Sequence, residues 1–181
     1  IVTPYTTNRV IEPLVSIGKS IDIGSGDAGN TAVITLVTTN SGLGSAYNLR
    51  LDDTIIGAYF NIATISNMVM PAGYAFVVAT NGANALASYM SDTNALAPTN
   101  TLQSSSALTF SFSVHLAQSV APNQRLTNGV VVTAASTLYA TNLYANERDK
   151  SGANSGASLT TPNIAVVKSL YGTSETNVPP D

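Results

Sequence analysis

Apolar and polar residues trade places at every second position over most of this chain. In the run 14–21, Val15, Ile17, Lys19 and Ile21 share one face. Ala32, Ile34, Leu36, Thr38 and Asn40 share a face in 32–40, and Leu49, Leu51, Asp53 and Ile55 in 47–55. Leu108, Phe110, Phe112, Val114 and Leu116 do so in 108–116, and Leu126, Asn128, Val130 and Val132 in 126–132. A period of two marks a strand with one buried face, and the density of β-branched residues agrees with it. Turn-forming segments separate the runs: the Gly-rich stretch 24–29, Asn40-Ser41-Gly42, Pro71-Ala72-Gly73, Asn81-Gly82 and Ala121-Pro122-Asn123. Residues 59–80 read as two further strands folding back at Pro71-Ala72-Gly73, residues 83–90 as one short helical turn, and residues 145–161 as a loop or linker. Short strands at this spacing predict an all-β fold, an antiparallel Greek-key β-sandwich (Ig-like or jelly-roll-like) with extended terminal strands.

A second regularity spans the chain. Pro13-Leu-Val-Ser-Ile-Gly-Lys19-Ser20 and Pro162-Asn-Ile-Ala-Val-Val-Lys168-Ser169 share one pattern at an offset of 149 residues. Each copy is an apolar, strand-like run holding one lysine. The repeat divides the chain into an N-terminal extension or linker at 1–13, a sandwich module at 14–160, and a C-terminal strand at 161–181. That last strand either opens a following repeat or is donated to a neighbour. Ile164, Val166, Lys168 and Leu170 fall on its one face and are the candidate assembly residues.

Composition narrows the function classes. Charged residues make up only 9% of the chain and the net charge is −3, while hydrophobic content is an ordinary 44%. A core is therefore available, and disorder is disfavoured. Seven Lys and Arg in a net-acidic chain leave no basic patch for nucleic acid. No apolar run approaches the roughly 18 residues of a membrane span. Without Cys there are no disulfides, thiolate metal sites or Cys nucleophiles. The neutral surface, rich in Thr and Asn, suits an extracellular, cell-surface or secreted-appendage protein. The partners expected are copies of itself or adjacent repeats.

Several short motifs occur in a definite order: Lys19-Ser20, Gly26-Asp27, Thr39-Asn40-Ser41-Gly42, Asp53-Thr54-Ile55, and Pro122-Asn-Gln-Arg-Leu126-Thr127-Asn128. In that order they resemble the conserved β-sandwich repeat domains of large bacterial and archaeal cell-surface proteins, including isopeptide-forming repeats of fimbrial subunits and adhesins. The likeness covers most of 13–175. It departs at Asp53-Thr-Ile-Ile, where Asp-Thr-Leu-Pro is usual, and in the poorly matching stretch 56–100. The resemblance implies a structural module that assembles end to end into a fibre, filament or sheath and is no enzyme. A carbohydrate- or surface-binding adhesin module, with a cell-surface glycan as partner, is the alternative.

Alternation alone turns Lys19, Asp53 and Asn128 toward the interior on three separate strands. Polar side chains in a core need partners, because an unpaired buried charge is costly. A Lys amine and an Asn carboxamide beside an acid can condense to an amide with loss of ammonia, and a dry pocket favours the neutral forms that this needs. The resemblance implies the same roles: Lys19 as nucleophile, Asn128 as acceptor, Asp53 as proton shuttle. The bland alternative places all three at strand ends, bonded to backbone or solvent.

Asp22, Asp27 and Asn30 sit in a Gly-rich loop, with Asp52 within reach from the next. Oxygen ligands of this kind suit Ca²⁺, although the spacing is not that of an EF-hand. Ordinary Asx-turns explain the same residues. No other cofactor is expected. His115, the only histidine, falls on a polar face and reads as exposed rather than as part of a triad or zinc site. One His, no Cys and few carboxylates leave little material for catalysis.

Overall fold

The computed structural model describes residues 11–91, 101–136 and 152–164. Nine strands follow one another among these residues: β1 (Val15–Ile21), β2 (Thr31–Asn40), β3 (Tyr47–Ile55), β4 (Phe60–Val69), β5 (Tyr74–Asn81), β6 (Asn84–Ser91), β7 (Ser106–Leu116), β8 (Arg125–Ser136) and β9 (Asn154–Thr160). They form a four-stranded sheet, β1-β2-β7-β4, and a five-stranded sheet, β5-β6-β3-β8-β9. The pairings are antiparallel. The chain crosses between sheets after β2, and β7 and β8 return to lie beside β2 and β3. This is the sandwich that the alternation predicts.

The inward faces are those read from the sequence. Ile34, Leu36, Leu49, Leu51, Phe110, Phe112, Val130 and Val132 are buried. Aromatic rings gather toward β5 and β6: Tyr89 lies 4.9 Å from Phe110 and 4.7 Å from Phe76, and Tyr74 meets Phe110 edge-on at 5.3 Å. Such tilted and edge-on contacts add to simple burial. Away from β5, strand β1 of one sheet meets β8 and β9 of the other.

Two expectations are corrected. Residues 84–91 form strand β6, not a helical turn; the strand pairs on both sides, with β3 and with β5. Part of 145–161 is not a loop, because Asn154–Thr160 is strand β9 along β8. β9 also closes the sandwich against β1. The Lys19 N–H donates to Ser155 Oγ at 3.1 Å, and a parallel bridge joins Ser25 to Thr160. Here the Gly26 N–H donates to the Thr160 carbonyl, and the Thr160 N–H to that of Gly24. The two strands therefore run side by side in the same direction at the seam between the sheets.

Asn40 explains the Thr-Asn-x-Gly motif. Its side chain is fully buried and uses all its hydrogen-bonding capacity. Nδ2 donates to the carbonyls of Gly44 (2.7 Å) and Leu102 (3.2 Å), while Oδ1 accepts from the N–H groups of Leu14 and Gly42, both at 3.0 Å. Gly42 is pressed against the chain before β1: a Cβ there would lie 2.3 Å from the backbone nitrogen of Leu14. One carboxamide thus fastens the β2–β3 turn, the entry to β1 and the segment before β7.

Candidate functional site

Lys19, Asp53 and Asn128 meet inside the sandwich. Lys19 sits on the inward face of edge strand β1, opposite Leu36 of β2. Asp53 lies two residues before the end of β3, flanked by Ala87 and Val130. Asn128 comes from β8, which faces β1 across the core. The side chains of Lys19 and Asp53 are 0% exposed and Asn128 is 1% exposed.

One carboxyl group holds the other two residues. Lys19 Nζ bonds to Asp53 Oδ2. Asn128 Nδ2 donates to Asp53 Oδ1 at 2.8 Å and to the Thr54 carbonyl at 2.8 Å. Asn128 Oδ1 is buried and has no hydrogen-bond partner among the described residues. The bland alternative, strand-end positions bonded to backbone or solvent, is met only in the Thr54 carbonyl: the three polar groups lie within their strands and partner each other in the interior.

Burial controls their protonation. It pushes the Lys19 amine below its ordinary value, against the opposing pull of Asp53, and pushes the Asp53 carboxyl above its own, against Lys19 and Asn128. Moving one proton from Nζ to Oδ2 converts an ion pair into a neutral amine and a neutral acid without changing the proton count, and a dry core favours that exchange. The neutral amine carries a free lone pair beside a carboxamide. Tyr89 is nearby in the same core, and its hydroxyl has no partner among the described residues. Burial and then the Asp53 charge raise its pKa.

The residues suggested for calcium are not gathered. Asp22 Oδ1 accepts the Val33 N–H at 2.7 Å. Asp27 and Asn30 form a turn of their own, with Oδ1 of Asp27 on the Ala28 N–H (2.7 Å) and Oδ1 of Asn30 on the Asp27 N–H (2.8 Å). Asp52 points to the outer face of the five-stranded sheet. There it accepts from Ser88 Oγ (2.6 Å), Thr133 Oγ1 (2.8 Å) and Arg50 Nε (2.9 Å). Partial burial works to raise its pKa, but those hydrogen bonds and the Arg50 charge outweigh it and hold the carboxyl low. Among the described residues no three His, Cys, Asp or Glu side chains gather closely enough to share a metal ion.

His115 is exposed on the outer face of β7, its N–H bonded to Thr64 Oγ1. Ile164 is exposed, and Val166, Lys168 and Leu170 lie outside the described residues. Three contributors had no sequence signal: the Thr54 carbonyl, which is backbone; Ser155, in a stretch read as loop; and Tyr89, in the stretch read as a helical turn.

No protein-family model and no curated protein sequence matches the chain. Solved structures do. The seventh ScaB type I cohesin of Pseudobacteroides cellulosolvens aligns with a TM-score of 0.50 at 12% identity, over 87% of this chain and 99% of that one. The RrgB pilus protein of Streptococcus pneumoniae aligns with a TM-score of 0.50 at 15% identity, over 70% of this chain. The Actinomyces fimbrial adhesin FimA gives 0.50 at 18%, over 77% of this chain. This chain spans 24% of the RrgB chain and 54% of the FimA chain. At these identities the likeness establishes the β-sandwich fold.

Proposed function

We propose that this chain is a load-bearing structural module of an extracellular surface protein or appendage, locked by an intramolecular amide between Lys19 and Asn128. The observation that carries the reading is the carboxyl of Asp53, which holds the Lys19 amine on one oxygen and the Asn128 carboxamide on the other. The fold shared with pilus and fimbrial proteins and the repeat at an offset of 149 residues support it.

The chemistry balances within three side chains. Asp53 Oδ2 takes a proton from Lys19 Nζ, and the neutral amine attacks Cγ of Asn128. The new C–N bond forms as the carbonyl π electrons move onto Oδ1. The carboxyl of Asp53 then gives a proton to Nδ2, which Thr54 and Asp53 already hold. The C–Nδ2 bond breaks and ammonia leaves. Nζ loses its remaining excess proton to the Asp53 carboxylate and the amide remains. Alignment inside a rigid core supplies the orientation that such a step needs.

Assembly on this reading is end to end, with the segment carrying Ile164, Val166, Lys168 and Leu170 continuing into, or completing, the next module. Intact-mass measurement tests the lock. The protein is expected to be one ammonia lighter than its sequence, with a branched peptide joining Lys19 to Asn128. Lys19→Arg, which keeps a charge but not a usable nucleophile, is expected to show the full sequence mass. A parent protein at full mass overturns the reading.

A further inference from the structure

The sandwich has four edge strands among its described residues, β1, β4, β5 and β9. Edge strands present unpaired backbone groups, and proteins guard them with cover, charge, proline or bulges. Three of the four are guarded. β1 and β9 lie against each other and are joined through Lys19 and Ser155. β4 loses register with β7 twice, between Asn61 and Ser66 and again before Val69, and Asn67 has φ 51°; such irregularity spoils a template.

Among the described residues, β5 has none of these devices. Its sequence, Tyr74-Ala-Phe-Val-Val-Ala-Thr-Asn81, contains no charge and no proline. It pairs with β6 in unbroken register from Tyr74 to Asn81. Residues 77–81 are exposed in succession, on both faces of the strand. Four of the ten large exposed hydrophobic residues among the described ones fall on β5 or the end of β4, which leads into it: Met68, Val69, Val77 and Val78.

We propose that β5 pairs antiparallel with β5 of a second copy, making one continuous ten-stranded sheet from two five-stranded ones. The strand is complementary to itself. A two-fold axis at Val77 sets Val77 opposite its own copy, Phe76 opposite Val78, Ala75 opposite Ala79 and Tyr74 opposite Thr80, so apolar meets apolar at the central steps. No like charges oppose, as they would if β5 carried the Lys that usually blunts such an edge. An isologous contact of this kind closes at two copies. It joins modules sideways and is independent of the amide and of any end-to-end contact.

Sedimentation of the full chain across a concentration series is expected to show a monomer–dimer equilibrium. Val77→Lys, at an exposed position, is expected to raise the dimer dissociation constant about tenfold or more, while Val37→Lys, on exposed β2 surface away from any edge, leaves it unchanged. The chain has no Cys, so Val77→Cys gives a clean second reading. Opposed residues in an antiparallel ladder lie about 4.5–5.5 Å apart, within disulfide reach, and this variant is expected to form a covalent dimer on mild oxidation where Val37→Cys does not. A chain that stays monomeric throughout, a dimer indifferent to Val77→Lys, or a dimer abolished by deleting residues 165–181 each overturns the proposal. The last outcome would assign the β5 edge to the tail of another copy. The mass of the protein reports on the amide separately, whatever the dimer does.

Discussion

Asn128 donates through Nδ2 to Oδ1 of Asp53 at 2.8 Å in the interior of the sandwich. Lys19 occupies the other oxygen of that carboxyl, so among the described residues Asp53 is the one side chain hydrogen-bonded to both ends of the bond we propose. Asp53→Ala is therefore expected to restore the full sequence mass. It also strands the Lys19 amine in the core, at a cost of about 3–5 kcal/mol, and removes a cross-link between positions 109 apart. On a loop-closure account that cross-link contributes about 4–5 kcal/mol. Thermal unfolding and intact mass, read together, check both halves. A folded variant still one ammonia light shows that Asp53 is dispensable.

The pH dependence has a definite sign. In Asn128→Ala no amide forms, and the buried pair keeps titrating. Asp53 is raised above its ordinary 3.8, so just above that value the folded state binds more protons than the unfolded chain, and stability falls as pH rises through the window. Lys19 is lowered below 10.5, so between its folded pKa and 10.5 the unfolded chain binds more protons, and stability rises with pH. Urea denaturation at about pH 4, 7 and 10 is the measurement, comparing Asn128→Ala with a version that also carries Lys19→Met and Asp53→Leu. The deficit caused by the polar pair is expected to be deepest at the middle pH. A deficit that is shallowest there contradicts the shifts.

Asn40 belongs to a different layer of the design. Asn40→Ala removes a carboxamide that satisfies four backbone groups. Leaving them unpaired is expected to lower stability by about 2–4 kcal/mol, while the loss of ammonia persists. A variant at full mass would mean that the β2–β3 turn controls the placement of Lys19.

Deleting residues 162–181 addresses assembly. If the segment carrying Ile164, Val166, Lys168 and Leu170 links modules end to end, the shortened chain is expected to lose long assemblies seen by electron microscopy and to keep the ammonia-light mass. Filaments unchanged by the deletion rule out strand donation by this segment.

The three central residues were legible because a pleated strand leaves no choice of face. Lys19 between Ile17 and Ile21, Asp53 between Leu51 and Ile55, and Asn128 between Leu126 and Val130 must all turn inward, and their side chains do. That they converge on one carboxyl depends on strand order, which no local pattern specifies. β6 was misread because its burial does not alternate: Ala87, Ser88 and Tyr89 are buried in succession. Ser88 is covered on the outer face by its bond to Asp52, so the period breaks where a polar network covers the outer side. β9 was missed for the opposite reason. Asn-Ser-Gly-Ala-Ser-Leu-Thr has little strand preference of its own, and the ladder along β8 and the seam with β1 impose its conformation.

That seam sets how the module would bear tension in the role we propose. β1 and β9 run in the same direction, with Ser155 beside Lys19 and Thr160 beside Ser25. The chain enters the sandwich at one pole and leaves it at the other. Pulling on the two ends drags β1 and β9 past each other lengthwise, so the bonds between them must break together in shear rather than unzip in turn. With Lys19 joined to Asn128, the pull passes through the core from β1 to β8, and the strands between those residues carry none of it.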